Sequence, residues 1–185
     1  LMKKFFICIL IAAICFCKTN SYAQVNIQDS LALVNLYDST NGPGWFHHTN
    51  WLTTKPLRNW YGIVVKAGRV TEIDLNSNSL TKTIPSSIGN LSKLEFLDLG
   101  YNSFSDSLPA SFANLSKLTF LDLSNGNFTV SIPAVLSALS NLDSLYLSFN
   151  TFNKIPASFV TLSLLQYLNL PYNFFNNFPA LLASL

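Results

Sequence analysis

The chain has 185 residues, of which 49% are hydrophobic and 11% are charged, and its formal net charge is +2. This length and composition are sufficient for one domain with a continuous core. A charge so close to zero gives no electrostatic reason to expect nucleic-acid binding.

Residues 1–23 have the pattern of a secretory signal peptide. Lys3 and Lys4 precede an apolar run from Phe5 to Phe16, and small residues lead to a cleavage position after Ala23. The apolar run is too short for a membrane span, although a retained anchor helix is the alternative. We therefore expect a secreted or cell-surface protein without a membrane span once the signal peptide is removed.

Cleavage would change the chemistry of the mature chain. It would remove all three cysteines, which are Cys8, Cys15 and Cys17. It would also remove Lys3, Lys4 and Lys18, leaving eight basic and nine acidic residues and a formal charge of −1. The mature chain would then have no disulfide, no thiol nucleophile and no cysteine metal site.

Residues 24–69 are predicted to form an N-terminal cap. Leu31, Val34 and either Leu36 or Tyr37 have helical spacing, and Asp29 or Ser30 is the expected N-cap. The sequence NGPGW then ends the helix, and residues 59–75 favour a hairpin. The three tryptophans of this segment are interpreted as cap core rather than as sugar-binding platforms; they are Trp45, Trp51 and Trp60.

One unit recurs five times after the cap, over residues 70–93, 94–117, 118–141, 142–164 and 165–185. Self-similarity at this period indicates a stacked-repeat architecture. A single unit is too short to bury its apolar face alone, so neighbouring units must stack, with parallel strands about 4.8 Å apart. Leu185 fills the last apolar slot and no capping sequence follows it, so we expect the repeats to be truncated there.

An asparagine follows the apolar run in four of the five units, at Asn78, Asn102, Asn150 and Asn173. A buried amide can both donate and accept hydrogen bonds, so we predict a structural ladder between coils rather than a ligand site. The third unit has Gly126 in this slot, while Phe128 and Pro133 keep their positions. This pattern predicts that Gly126→Asn is tolerated or stabilising by about 1 kcal/mol.

With apolar-proline pairs such as Leu108-Pro109 and Ile132-Pro133, these units resemble plant-type leucine-rich repeats of pattern LxxLxLxxNxLxGxIPxxLxxLxx over residues 27–185. The resemblance implies an α/β fold, a right-handed solenoid. Its parallel β-sheet would line the concave face, opposite an irregular or 3-10 helical convex face. An N-terminal helix and hairpin would form the cap.

Two departures from the family pattern affect these expectations. Lys82, Asp106 and Val130 replace the glycine of LxGxIP, so we do not expect an ordered second sheet. In the cap, Arg58 and Val65 stand where the family has cysteines. The cap's usual disulfide is therefore impossible, and a cysteine-free cap resembles bacterial secreted repeat proteins more than plant receptors.

The residues offer little for catalysis. His47 and His48 are the only histidines, and adjacent side chains of an extended chain point apart. Asp74, Asp98 and Asp122 share one slot on successive strands, but one column provides few of the six or more oxygens that calcium takes. We therefore predict a solvated face rather than catalysis or calcium binding, with no enzyme activity, no metal and no cofactor.

Outward-facing aromatic residues and aspartates are the predicted ligand-binding residues of the concave face. They are Phe96, Asp98, Tyr101, Phe120, Asp122, Tyr146, Phe149, Tyr167 and Tyr172. Contiguous exposed aromatics indicate a contact surface. The main hypothesis is a secreted binding module for a protein or peptide, and the alternative is a carbohydrate-binding or adhesion module that uses the same aromatics.

Overall fold

A computed structural model describes residues 25–105 and 107–176. The predicted signal peptide, Asp106 and the last nine residues lie outside this range. Within the described residues, no helix is long and apolar enough to cross a membrane.

The fold is one α-helix followed by a solenoid of short strands. The helix α1 spans Ile27–Ser39. The strands are β1 (Ile63–Lys66), β2 (Arg69–Asp74), β3 (Thr81–Lys82), β4 (Phe96–Asp98), β5 (Ser103–Phe104), β6 (Phe120–Asp122), β7 (Thr129–Ser131), β8 (Ser144–Tyr146), β9 (Thr151–Lys154) and β10 (Tyr167–Asn169). Short 3-10 helices span Gly42–Gly44, Leu57–Asn59, Ser86–Asn90, Ala110–Asn114, Ala134–Ala138 and Ala157–Thr161.

The main sheet has the strand order β1-β2-β4-β6-β8-β10. The first pair is the expected antiparallel hairpin, and every later pair is parallel. Each repeat supplies one strand, and the register joins equivalent residues of successive repeats, as in Leu97 to Leu121. This arrangement confirms the predicted repeat solenoid with its parallel sheet.

The core follows from the alternation of side chains on these strands. Leu97 and Leu99 have no exposed surface, and their counterparts Leu121 and Leu123 have none either. On the opposite side of each coil, a proline with φ between −62° and −73° precedes a 3-10 helix. Because proline already holds φ in this range, it starts the turn at low entropic cost.

Among the described residues, a second sheet forms only in part. β3 pairs with β5 and β7 pairs with β9, as two separate two-stranded sheets. This result corrects the expectation that no second sheet would be ordered. Lys82 and Val130 adopt φ values of 64° and 68°, so non-glycine residues occupy the left-handed conformation that glycine adopts most easily.

The cap differs from the sequence prediction at the helix start. Asn26 is the N-cap, and its Oδ1 accepts from the backbone N–H of Gln28 and Asp29. The expected caps Asp29 and Ser30 lie inside the helix and are buried. Asp29 is used elsewhere, because its carboxylate accepts from Arg69 at the start of β2.

The three tryptophans form the centre of the cap. Trp45, Trp51 and Trp60 are each no more than 4% exposed. The ring of Trp51 lies 4.9 Å from the rings of both Trp45 and Trp60. Each indole N–H donates to a backbone carbonyl. The tryptophans are therefore cap core, as predicted, and are not available as sugar platforms.

Candidate functional site

An aromatic strip crosses the open face, by which we mean the side of the main sheet that faces away from the core. Phe96, Phe120 and Tyr146 stand on successive strands and are half-buried. The rings of Phe96 and Phe120 are stacked, with centroids 4.3 Å apart and an interplanar angle of 9°. Tyr146 continues the strip at 5.4 Å from Phe120, and Tyr167 on β10 is 60% exposed.

A second aromatic row precedes the asparagine slot. Tyr101, Phe149 and Tyr172 are all exposed, and the rings of Phe149 and Tyr172 stack with centroids 4.1 Å apart. Asn125 occupies the same slot of the third repeat. The structure thus places all nine predicted binding residues outside the core, on the strands or just after them.

The backbone of this second row has an unusual conformation. Tyr101, Phe149 and Tyr172 have φ values of 54°, 54° and 58°, and Ser77 and Asn125 in the same slot have 52° and 48°. An L-residue pays roughly 1–2 kcal/mol for this conformation. Hydrogen bonds between coils accompany it, since the Tyr101 N–H donates to the Ser124 carbonyl at 2.7 Å and the Phe149 N–H to Pro171. Of these five residues, only Asn125 is of a type that often adopts positive φ, so this backbone conformation could not be predicted from the other four.

A row of carboxylates runs beside the aromatic strip. Asp74, Asp98 and Asp122 are register partners on β2, β4 and β6. Each accepts, through Oδ1, from the backbone N–H two residues later. Burial raises the pKa of the Asp98 carboxyl, and the charges of Asp122 and Asp74 raise it further, against hydrogen bonds from Asn76 and Gly100 that lower it.

Other acidic residues at this face were not among the predicted site residues. Glu72 lies on β2, Glu95 directly precedes β4 and Asp143 directly precedes β8. Glu72 is bound to Lys66 of β1, with Nζ and Oε1 2.8 Å apart. Glu95 and Asp143 share one slot of the repeat, whereas Glu72 occupies the slot of Phe96. Neither slot is acidic in every repeat, so the repeat pattern did not single these residues out.

The asparagine slot joins neighbouring coils. Asn102 Oδ1 accepts from the N–H groups of Asn78 and Leu80, and its Nδ2 donates to the carbonyls of Leu75, Leu99 and Gly100. Asn150, two repeats further along the chain, makes the equivalent five hydrogen bonds.

The two ends of the asparagine series differ from its middle. Asn78 instead holds the cap, because it accepts from the His47 N–H and donates to the His47 carbonyl. Asn173 accepts from Phe152 and donates to Leu147, Leu170 and Pro171.

Gly126 is not simply a missing asparagine, which corrects the expectation for Gly126→Asn. A Cβ at this position would lie 2.5 Å from the ring of Phe128 and 2.9 Å from the Leu123 carbonyl oxygen. The Gly126 carbonyl itself accepts from the Phe104 N–H, at 3.1 Å. In this coil a backbone carbonyl therefore replaces the asparagine Oδ1 as acceptor. Phe128, which is 3% exposed, fills the space that an asparagine side chain would occupy.

The histidines lie on the cap and have separate partners. The His47 ring is 5.0 Å from the ring of Tyr61, whereas Nδ1 of His48 lies 3.1 Å from the Trp45 carbonyl oxygen. Among the described residues, no group of three or more histidine, cysteine, aspartate or glutamate side chains could hold a metal ion.

Comparisons with known proteins agree with this geometry. Leucine-rich repeat family models match residues 68–128 and 141–162. A plant ice-binding protein is similar in structure, with a TM-score of 0.74 and 25% identity over 80% of this chain and 49% of that protein. A chain of the BIR3–SERK2 complex from Arabidopsis thaliana has a TM-score of 0.73 and 29% identity, covering 85% of this chain and 88% of its own length.

A third similar structure is the Arabidopsis receptor kinase HAESA, solved with the peptide hormone IDA and the co-receptor SERK1. Its TM-score is 0.63 with 26% identity, over 86% of this chain and 32% of that chain. The present chain thus spans about half of the ice-binding protein and a third of the HAESA chain. These three matches are to plant proteins, and the expected resemblance to bacterial secreted repeats finds no support in them.

Proposed function

The chain belongs to the leucine-rich repeat family, with repeats of the plant type, and we propose that it is an extracellular module that binds a protein or peptide on its open face. The observation that carries this proposal is the aromatic strip. Phe96 and Phe120 contribute nothing to the interior of the solenoid, yet they stack at 4.3 Å with Tyr146 beside them. Rigid aromatic side chains in a contiguous array are the residues that most often dominate binding energy at protein interfaces.

The similar proteins support a protein-binding role. One comes from a complex of BIR3 with SERK2, and another binds the peptide hormone IDA together with SERK1. The predicted signal peptide supports an extracellular location, as does the similarity to the receptor kinase HAESA. A binding role is also favoured over catalysis because His47 and His48, the only histidines of the chain, lie on the cap with separate contacts.

Carbohydrate binding or adhesion is the second candidate. Exposed tyrosines favour it, since Tyr167 and Tyr172 are 60% and 72% exposed. A sugar stacks on a free ring face, however, and Phe96 and Phe120 cover each other's inner faces. The aromatic strip therefore supports a polypeptide ligand better than a glycan.

The similarity to an ice-binding protein makes ice binding a third candidate function. It would use the flank of the solenoid that carries the small sheets β3-β5 and β7-β9. Thr129 and Thr151 are exposed there and are register partners. Lys82 and Lys154 project from the same flank, and charged groups hold their own hydration shells. Among the described residues, β5 and β7 belong to separate sheets, so the strands that carry the hydroxyl groups do not form one continuous sheet there. These features weigh against an ice-binding flank.

The test compares ligand classes and variants on the same protein. The full chain is screened against a displayed random peptide library and a glycan array. We expect peptide binders, and we expect Phe96→Ala and Phe120→Ala each to weaken their binding at least about tenfold. Val160→Ala on the opposite side of the solenoid is the matched control, since Val160 is exposed on the 3-10 helix Ala157–Thr161.

Circular dichroism melts of the same variants separate binding from folding. Neither phenylalanine is part of the buried core, so both variants should melt close to the parent protein. Binding that survives both substitutions would move the site away from the aromatic strip. Selective glycan binding, lost in the same variants, would favour the second candidate.

A further inference from the structure

The charges of the protein are segregated, although the whole chain is nearly neutral. Six acidic side chains lie on or beside the open face: Glu72, Asp74, Glu95, Asp98, Asp122 and Asp143. The two basic side chains on β1 and β2 already have partners. Lys66 is bound to Glu72, and Arg69 is bound to Asp29 of α1. Lys93 and Lys117 lie on the turns before β4 and β6 and not on the strands. The strands of the open face therefore carry an excess of acidic side chains beside the stacked aromatic rings.

The aspartates of this row divide their oxygens between two roles. Among the described residues, Oδ1 of Asp98 accepts from Gly100 and Asn76, and Oδ1 of Asp122 accepts from Ser124. The Oδ1 atoms thus hold the turn after each strand and fix the carboxylate orientation. The Oδ2 atoms of both residues keep their capacity to accept from a ligand.

These carboxylates adjoin the stacked phenylalanines. Phe96 and Asp98 lie two residues apart on β4, so they face the same side, and Phe120 and Asp122 repeat the pair on β6. Neighbouring strands are about 4.8 Å apart, so the four side chains form one compact patch. A cation placed there would contact aromatic carbon on one side and two carboxylates on the other.

A ligand could place either an arginine or a lysine side chain in this patch, and arginine fits it better. A guanidinium group is planar, is small enough to pack against the ring surface that the stacking of Phe96 on Phe120 leaves free, and binds carboxylates through two N–H groups at once. Its weaker hydration also makes it less costly to bring beside half-buried rings. Lysine would supply the charge but neither the planar contact nor the paired donors.

We infer that the ligand is a polypeptide segment that presents an arginine side chain to Phe96, Asp98, Phe120 and Asp122. This inference rests on the proposed function, because it names the chemistry of the partner of the same face. A bound guanidinium would also relieve the repulsion between neighbouring carboxylates, which contributes to the raised pKa of Asp98.

The experiment uses the peptides selected from the random library against the full chain. We expect arginine in the selected sequences, and we expect its replacement by neutral, similarly shaped citrulline to weaken binding at least about tenfold. Replacement by lysine should weaken binding less than citrulline does. On the protein, Asp98→Asn and Asp122→Asn keep an Oδ1 acceptor for the turn but remove the charge, and both should weaken binding. Asp38→Asn, an exposed acid on α1, is the charge-matched control.

The possible results separate this inference from the proposed function. Selected peptides could lack arginine, or could bind equally well with citrulline in its place. If such peptides still bind the Phe96→Ala variant more weakly than the parent protein, the arginine assignment is wrong but the binding face is correct. Peptides whose binding is unaffected by Phe96→Ala, or a failure to select any peptide, would count against both. Affinity that does not fall with added salt would also contradict the charge pairing.

Discussion

Single asparagine side chains hold neighbouring coils together, and Asn102 is one of two that make five hydrogen bonds, Asn150 being the other. Its amide satisfies two backbone donors and three backbone acceptors, all of them in buried hydrogen bonds. We predict that Asn102→Ala lowers the free energy of unfolding by about 1–3 kcal/mol, because buried backbone groups lose their partners. Denaturant midpoints would measure the loss, with Asn153→Ala at an exposed position of β9 as the control. Equal midpoints for the two variants would contradict the structural role.

Gly126 shows why a repeat pattern alone misjudges one coil. The pattern aligns it with four asparagines, but the structure fills the side-chain space with Phe128 and uses the Gly126 carbonyl as acceptor. The expected benefit of Gly126→Asn therefore turns into overpacking, which typically costs about 1–3 kcal/mol.

Asp98 links the stability of the protein to pH. Burial raises the pKa of this carboxyl above its ordinary value of 3.8, so the folded state binds the proton more tightly than the unfolded chain. This contribution is favourable below the ordinary pKa and is lost as the pH rises through the raised pKa. We predict that Asp98→Asn is more stable than the parent at pH 7 and that the difference disappears on acidification below pH 3.8. Thermal melts across this range would test it, and a gap that widens in acid would contradict the assignment.

At the scale of elements, the cap helix is tied to the first repeat by one buried ion pair. Asp29 has no exposed surface, and it accepts from Nε and Nη2 of Arg69 at 2.9 Å and from the Val70 N–H at 2.8 Å. We predict that Asp29→Ala destabilises the protein by about 3 kcal/mol, the low end for a broken buried pair, because the Arg69 side chain is 25% exposed. Asp38→Ala on the exposed side of α1 is the control for urea unfolding. A loss no larger than that of Asp38→Ala would show that the pair does not hold the cap.

The elements that sequence could predict are those whose evidence is local and repeated. The period of 24 residues and the apolar slots were enough for the main sheet, since Leu97 and Leu121 have to face one core in every coil. The contact between Asp29 and Arg69 joins residues 40 positions apart, and it belongs to no repeat. The second sheet was missed because its pattern requires glycine, whereas pairing between β7 and β9 accompanies φ of 68° at Val130.

For the candidate site, the sequence could predict which side chains face outward but not how they contact one another. Alternation of side chains identified Phe96, Asp98 and their counterparts as outward-facing. It could not show that the two phenylalanine rings stack or that the aspartates use Oδ1 for the turn, because both depend on side-chain rotamers. The binding role of these residues remains the proposal that the alanine variants test.

At the scale of the whole molecule, two differently charged surfaces follow from one solenoid. Six of the nine acidic residues lie on or beside the open face, while Lys82 and Lys154 lie on the flank, Lys55 lies on the cap, and Lys93 and Lys117 lie on the turns before β4 and β6. Such segregation leaves net charge almost unchanged and yet gives the protein a directional field that can steer a basic partner. Association rate should therefore respond to salt more strongly than dissociation rate does.

The predicted export would determine the chemical state of the whole molecule. The basic start, the apolar run and the small residues before Ala23 predict cleavage by a signal peptidase, so secreted protein should begin at Gln24. Intact mass and N-terminal sequencing of secreted material would check this, and Ala23→Arg should block cleavage by placing a large charged residue where a small one is needed. Because Cys8, Cys15 and Cys17 all precede the cleavage position, the mature protein should melt at the same temperature with and without a reducing agent. Secreted protein that retains Met2, or a melting temperature that falls on reduction, would contradict this prediction.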